Sequence, residues 1–291
     1  MWFYLALISA VLGAVDVVLN KKCLNKVSAA VLTWSLFTLS IPPLAYLALK
    51  DGIPSLNQVF FIGVFGSSLA FIFAKTIINE TLKQNAVSKI YPITAFAGVF
   101  TYFFGLIMLS ESIRPVPILG LLSVVFGSYI LNADQAREDF LKPFKLLFLK
   151  KSSIIFLIAI MLGSLTAVFD KLGLNNTTPT SPVFIIFVEQ IIMSIMMGAY
   201  LLKKESKTWF SEVKNNFGIL FLNSIVFIIV GLFVFNSYGN DGPVALVLGV
   251  KRLQIFFILL LGYLFFKDKP TRHAWLATGM MILGVLMIRL G

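Results

Sequence analysis

The chain has 291 residues, of which 58% are hydrophobic and 13% charged, with 29 Phe and a net charge of +11. Soluble domains are nearer half apolar and a quarter charged, so this composition, with a mean hydropathy of +0.93, excludes an ordinary soluble fold and indicates an integral membrane protein. The basic excess lies in short gaps between apolar runs, where membrane orientation explains it better than nucleic-acid binding.

Cys23 is the single cysteine and His273 the single histidine. No intrachain disulfide can form, and no Cys- or His-based metal cluster can be built. The opening "MWFYLALISAVLG" lacks a basic leading region and reads as a retained first span, not a signal peptide.

A membrane-spanning helix needs about 20 predominantly apolar residues. Ten stretches qualify, so the expected fold is an all-α membrane protein with ten transmembrane helices. The first covers about 2–20, and its Asp16 and Asn20 share a face by four-residue spacing. The second covers 29–49. The third, 57–79, repeats that spacing with Lys75 and Asn79. Both pairs read first as interhelical bonding and second as polar groups of a cavity. The fourth, 86–110, contains "NAVSKIYPITAF", where Pro92 interrupts the helical ladder beside Lys89 and Tyr91. Such a break can expose carbonyls to a cavity, or it can kink a packing helix.

The fifth span, 115–132, carries Gly120 and Gly127 seven apart, a helix-packing spacing. A basic connector, 133–151, follows; its "DFLKPFKLLFLKK" could lie flat at the interface. The sixth span covers 152–171, and the seventh, 181–202, holds Glu189 in "FVEQIIMS". The eighth, 217–238, ends with Asn236 and Tyr238, and Tyr238 and Trp34 read as packing or interface aromatics. The ninth, 243–266, has Lys251 and Arg252 adjacent near its middle. The tenth, 272–290, carries Ala277 and Gly284, again seven apart.

The two halves match in order. "LGAVDVVLNK" aligns with "LGSLTAVFDK", "AYLALK" with "AYLLKK", "FGLIMLSES" with "LGYLFFKDK", and "FGSYIL" with "LGVLMI". The expected organisation is a first five-helix repeat at 1–132 and a second at 152–291, forming one structural unit. Five is odd, so the second copy enters the membrane inverted. The charges agree. Lys21, Lys22 and Lys26 follow span one, but only Lys171 follows span six. Lys50 alone follows span two, but Lys203, Lys204, Lys207 and Lys214 follow span seven. The positive-inside rule then places both termini outside.

Inverted repeats are the signature of alternating access around a site near the midplane. A charge at mid-depth costs roughly 2.5–3.5 kcal/mol on insertion scales, so intramembrane charges suggest function. Lys251 and Arg252 are the candidate anion site. Glu189 either balances them as a buried counter-ion or couples transport by taking a proton. No phosphate loop, catalytic triad or dinucleotide fingerprint is present, so transport driven by the chain's own ATP hydrolysis is not expected.

The chain resembles the EamA-type drug/metabolite transporter superfamily along essentially its whole length. The carriers are the five-plus-five organisation and the segments "GLIMLSESIRPVPILGLLSVVFGSYIL" and "GYLFFKDKPTRHAWLATGMMILGVLMI". The family's glutamate is Glu111 in the first half, where the second half has Asp268; both read as structural. "GVKRLQIFFILLLGYLFFKDK" is similar to the matching span of triose-phosphate and sugar-phosphate translocators. That resemblance implies phosphate binding by Lys251 and Arg252, with Lys89 the nearest third contact, and it implies cytoplasmic termini.

The expected function is secondary transport of a small organic solute, anionic or phosphorylated, with exchange as one mode. The alternatives are an exporter of amino acids, drugs or other amphipathic metabolites with a structural Lys-Arg pair, and a membrane-embedded lipid-phosphate enzyme. No enzymatic activity and no cofactor are expected. Expected partners are a small-molecule solute and the lipid bilayer of a bacterial inner membrane, with no nucleic acid and with a homodimer left open.

Overall fold

The computed structural model describes residues 1–50, 52–84, 96–132, 151–204, 209–258, 260 and 272–291. The connector 133–150, and with it most of the amphipathic stretch, lies outside the described residues. In chain order the elements are α1 (Trp2–Leu24), α2 (Ala29–Thr38), α3 (Ile41–Lys50), β1 (Ser55–Leu56), α4 (Gln58–Gln84), α5 (Ala97–Met108), α6 (Pro115–Asn132) and α7 (Lys151–Leu174). Then come β2 (Thr177–Thr178), α8 (Pro182–Lys204), α9 (Trp209–Asn215), α10 (Phe217–Gly239), α11 (Val244–Lys251) and α12 (Arg272–Leu290).

Six helices are long and apolar enough to cross a membrane, and they match expected spans one, two, three, six, seven and eight. Shorter apolar helices at Ala97–Met108, Pro115–Ile130 and Trp275–Leu290 match spans four, five and ten. The chain is an integral, multi-pass membrane protein. Large apolar side chains stay exposed because lipid, not water, is their solvent. On α4, Phe61, Phe65, Leu69 and Phe73 form an exposed stripe at four-residue spacing, while Phe60, Val64, Ser67 and Ser68 face inward.

Span two is two helices. Leu39 and Ser40 form the break, and the Ser40 hydroxyl donates to Phe37 O at 2.7 Å. Pro42 and Pro43 follow in the first turn of α3, where a missing N–H costs no helical hydrogen bond. Span nine also departs from the expected continuous helix over 243–266. α11 ends at Lys251, Arg252 and Leu253 form a turn, and helix resumes over 254–258. The turn is tight: Leu253 N donates to Val250 O at 3.0 Å and Ile255 N to Arg252 O at 3.1 Å.

The principal packed pairs are α6 with α12, α4 with α7, α1 with α10, α5 with α7 and α2 with α8. Glycines set the closest approaches. A Cβ on Gly63 would lie 2.6 Å from Gly173 N, joining α4 to α7. One on Gly120 would lie 2.5 Å from Gly284 O, and one on Gly127 2.7 Å from Ala277 O, joining α6 to α12. The seven-residue spacings therefore mark a real backbone contact. Gly120→Val is expected to lower stability by about 1–3 kcal/mol through overpacking. Gly218→Val, at a position with nothing within 4 Å of the added carbon, is the control. Equal thermal unfolding midpoints in detergent for the two variants would refute the close approach.

Side-chain contacts sort the connectors onto two faces. On one face, β1 pairs antiparallel with β2, Lys171 meets Glu111 and Gly242, and Arg289 donates to the Tyr4 hydroxyl at 2.7 Å. Both termini share that face. At the opposite ends of the helices, Ser28 N donates to Glu212 at 2.8 Å and Lys83 to Val27 O at 3.2 Å.

Candidate functional site

Helices α1, α4, α5, α7, α8, α10 and α11 surround a cavity of about 350 Å³. That size suits a small organic molecule. Part of the wall is aromatic: Phe71 of α4 and Phe227 of α10 stack with ring centres 6.1 Å apart, and Phe156, Phe235 and Tyr238 also line the space.

Charges of both signs reach into this apolar shell. Lys251 and Arg252 line the cavity at the interruption of span nine, both half-buried. Arg252 keeps helical backbone angles and donates its N–H to Leu248 O at 3.1 Å, so the two adjacent side chains leave the axis about 100° apart. Lys75 of α4 lines it too, its ammonium 5.2 Å from the centre of the Phe227 ring. Asp16 on α1 lies within electrostatic reach of Lys75 and Lys251.

Two more acids complete the set. Asp170, near the end of α7, accepts a hydrogen bond from the Ser67 hydroxyl of α4. Glu189 of α8 lies beside Asp170 and Ser67, and its Oε1 has no hydrogen-bond partner. Lys251 faces Asp16 and Asp170. Glu189 thus has a second carboxyl, that of Asp170 on α7, as a close neighbour. Among the described residues lining the cavity, Asp16, Asp170 and Glu189 offset Lys75, Lys251 and Arg252.

The remaining expected residues divide. Asn20 lines the cavity, but it donates to the Asp16 carboxylate at 2.9 Å and accepts from Asn223 of α10 at 3.4 Å. Asn79 lines it and donates to Thr33 of α2 at 2.9 Å. Both serve interhelical bonding, as their spacing suggested. Tyr238 is buried, lines the cavity and has an unpartnered hydroxyl. Asn236, a cavity candidate by sequence, is not among the residues lining the cavity; its amide donates to Leu232 O of its own helix at 2.7 Å. Lys89, Tyr91 and Pro92 lie outside the described residues.

Sequence reasoning gave Asp170 no role of its own. The repeat held the signal, since Asp170 aligns with Asn20. It also gave Glu111 no partner. The Glu111 carboxylate takes the Lys171 ammonium at 2.6 Å and the Val244 N–H at 3.0 Å. It thus caps the start of α11 and binds it to the end of α7. Lys171 also donates to Gly242 O at 2.9 Å.

Compared with known proteins, the chain matches the EamA-like transporter family over residues 1–133 and 150–290. The chain belongs to that family. It is 24% identical, over 101 residues, to the "Probable 4-amino-4-deoxy-L-arabinose-phosphoundecaprenol flippase subunit ArnE" of Hamiltonella defensa subsp. Acyrthosiphon pisum (strain 5AT). That stretch is 35% of this chain and 91% of the relative. One solved crystal structure shares the fold with a TM-score of 0.73 at 15% identity, over 99% of this chain and 97% of the other. This EamA-family chain is a membrane transporter or flippase.

Proposed function

We propose that this chain is a secondary transporter that moves a small organic solute carrying an anionic group through the central cavity by alternating access. The carrying observation is the cavity itself: Lys75, Lys251 and Arg252 enter an otherwise largely apolar space reached by helices from both halves of the chain. A solute anion would meet the ammonium and guanidinium groups while its apolar part packs on Phe71 and Phe227.

Two inverted five-helix repeats underlie this reading. The reciprocal packing of α1 on α10 and α4 on α7 supports it. So does the behaviour of the aligned residues Asn20 and Asp170, each hydrogen-bonded to a helix of the opposite half, at Asn223 and Ser67. The family match in two stretches points the same way. The excess of basic residues favours the face bearing the termini as the outer one.

Purified protein in liposomes, tested with labelled glycerol 3-phosphate, lactate, alanine and choline, decides the class. Accumulation of glycerol 3-phosphate or lactate above protein-free liposomes is expected. Transport of choline alone would overturn the anion assignment. Scrambling of a short-chain fluorescent lipid without solute uptake would replace it with a flippase. Comparing empty with preloaded liposomes separates net movement from exchange.

A further inference from the structure

The carboxyl pair between α7 and α8 has no role in binding an anion, yet it lines the same cavity. We propose that Asp170 and Glu189 hold one exchangeable proton and couple its movement to that of the solute. The proposal rests on the cavity being the transport route.

Several observations meet here. Both side chains are buried, with Glu189 4% exposed. Two adjacent carboxylates in a low-dielectric interior repel, and a single proton between them removes the like charge and supplies a donor. Glu189 Oε1 lacks a partner, and so does the hydroxyl of Tyr238, which is 2% exposed and faces Asp170 from α10. The site therefore has unused hydrogen-bonding capacity aimed at the cavity. Ser67 of α4 already donates to Asp170, so one carboxylate oxygen of the pair is engaged.

The groups facing the pair set the direction of coupling. Lys251 of α11 faces Asp170, with Arg252 beside it. Lys251 also feels Asp16 of α1 and Lys75 of α4. With the cavity empty, Lys251 compensates a negative charge on Asp170. An anionic group bound at Lys251 takes over that compensation, and the pair then takes up its one proton from cavity water, passing from two negative charges to one. Anion and proton thus load together and leave together, which is symport.

Infrared titration of the purified protein tests this without any solute, so a failed uptake panel leaves it readable. Wild type is expected to show a protonated-carboxyl band that disappears as pH rises. Glu189→Gln and Asp170→Asn should each abolish it, while Asp16→Asn keeps it. Lys251→Ala removes the compensating cation and should move the midpoint upward by roughly one pH unit or more. Size-exclusion profiles and melting curves confirm that each variant folds, and Ser67→Ala, also expected to shift the midpoint upward, serves if one of the acid variants does not. No titrating band in wild type, a band surviving both acid substitutions, or a midpoint unmoved in both Lys251→Ala and Ser67→Ala would overturn the proposal. Loss of the band on adding sodium in place of choline at fixed pH would replace the proton with a sodium ion.

Discussion

Lys251→Ala and Arg252→Ala are each expected to lower kcat/KM for the transported anion by about 100-fold. A hydrogen bond to a charged group contributes roughly 1.5–3 kcal/mol, and each 1.4 kcal/mol is about tenfold. Both side chains line the cavity, so a solute held there meets them. Arg252→Lys keeps the charge and loses the planar fork, so it should recover part of the rate if charge attraction dominates. Asn236→Ala is the control, because its amide is occupied by its own helix. The readout is the concentration dependence of uptake at matched protein content. Wild-type kinetics in both alanine variants would refute the anion site. A loss in only one would show that the turn aims the two side chains to different sides.

The second large effect is expected at the Glu111–Lys171 contact. Each side chain is 11% exposed, so neither charge has much water to fall back on. Removing one partner of a buried ion pair costs about 3–5 kcal/mol because the other is left uncompensated. Lys171→Met should therefore destabilise strongly, leaving Glu111 with the N–H of Val244 as its hydrogen-bond donor among the described residues. The double variant Glu111→Gln, Lys171→Met should recover a good part of the loss, since no orphan charge remains. Unfolding midpoints in dodecyl sulfate mixtures measure both. A double variant no more stable than Lys171→Met would mean that the contact acts by shape, not by charge. The same contact joins α7, the segment after α6's predecessor α5, and the start of α11, so its loss should loosen the face that carries the termini.

Much of the fold was legible because the bilayer imposes a simple rule. A helix that crosses it must be long and apolar, and six helices meet that rule where the hydropathy placed them. The Gly120, Gly127, Ala277 and Gly284 spacing marked two helix-packing faces, and the structure sets those two faces against each other, since only small residues let two backbones approach so closely. The interruption at Arg252 and Leu253 was not legible. Neither residue breaks helices by propensity, and an apolar run hides a turn whose cause lies in its neighbours.

The sequence by itself determined that the chain lives in a membrane, roughly where its helices run, and that Lys251, Arg252 and Glu189 are charges needing an explanation. Helical periodicity and the cost of charge in lipid are local properties, and one strand of sequence carries them. Only the tertiary structure decided the partners. Asp170 is 19 residues from Glu189 and 103 from Ser67 in the chain, and Glu111 is 60 from Lys171. Helix packing brought these groups together, setting Glu189 beside a second carboxyl and giving Glu111 the partner that ties one membrane face. Long-range electrostatics depends on distances that packing sets, and no window of sequence contains them.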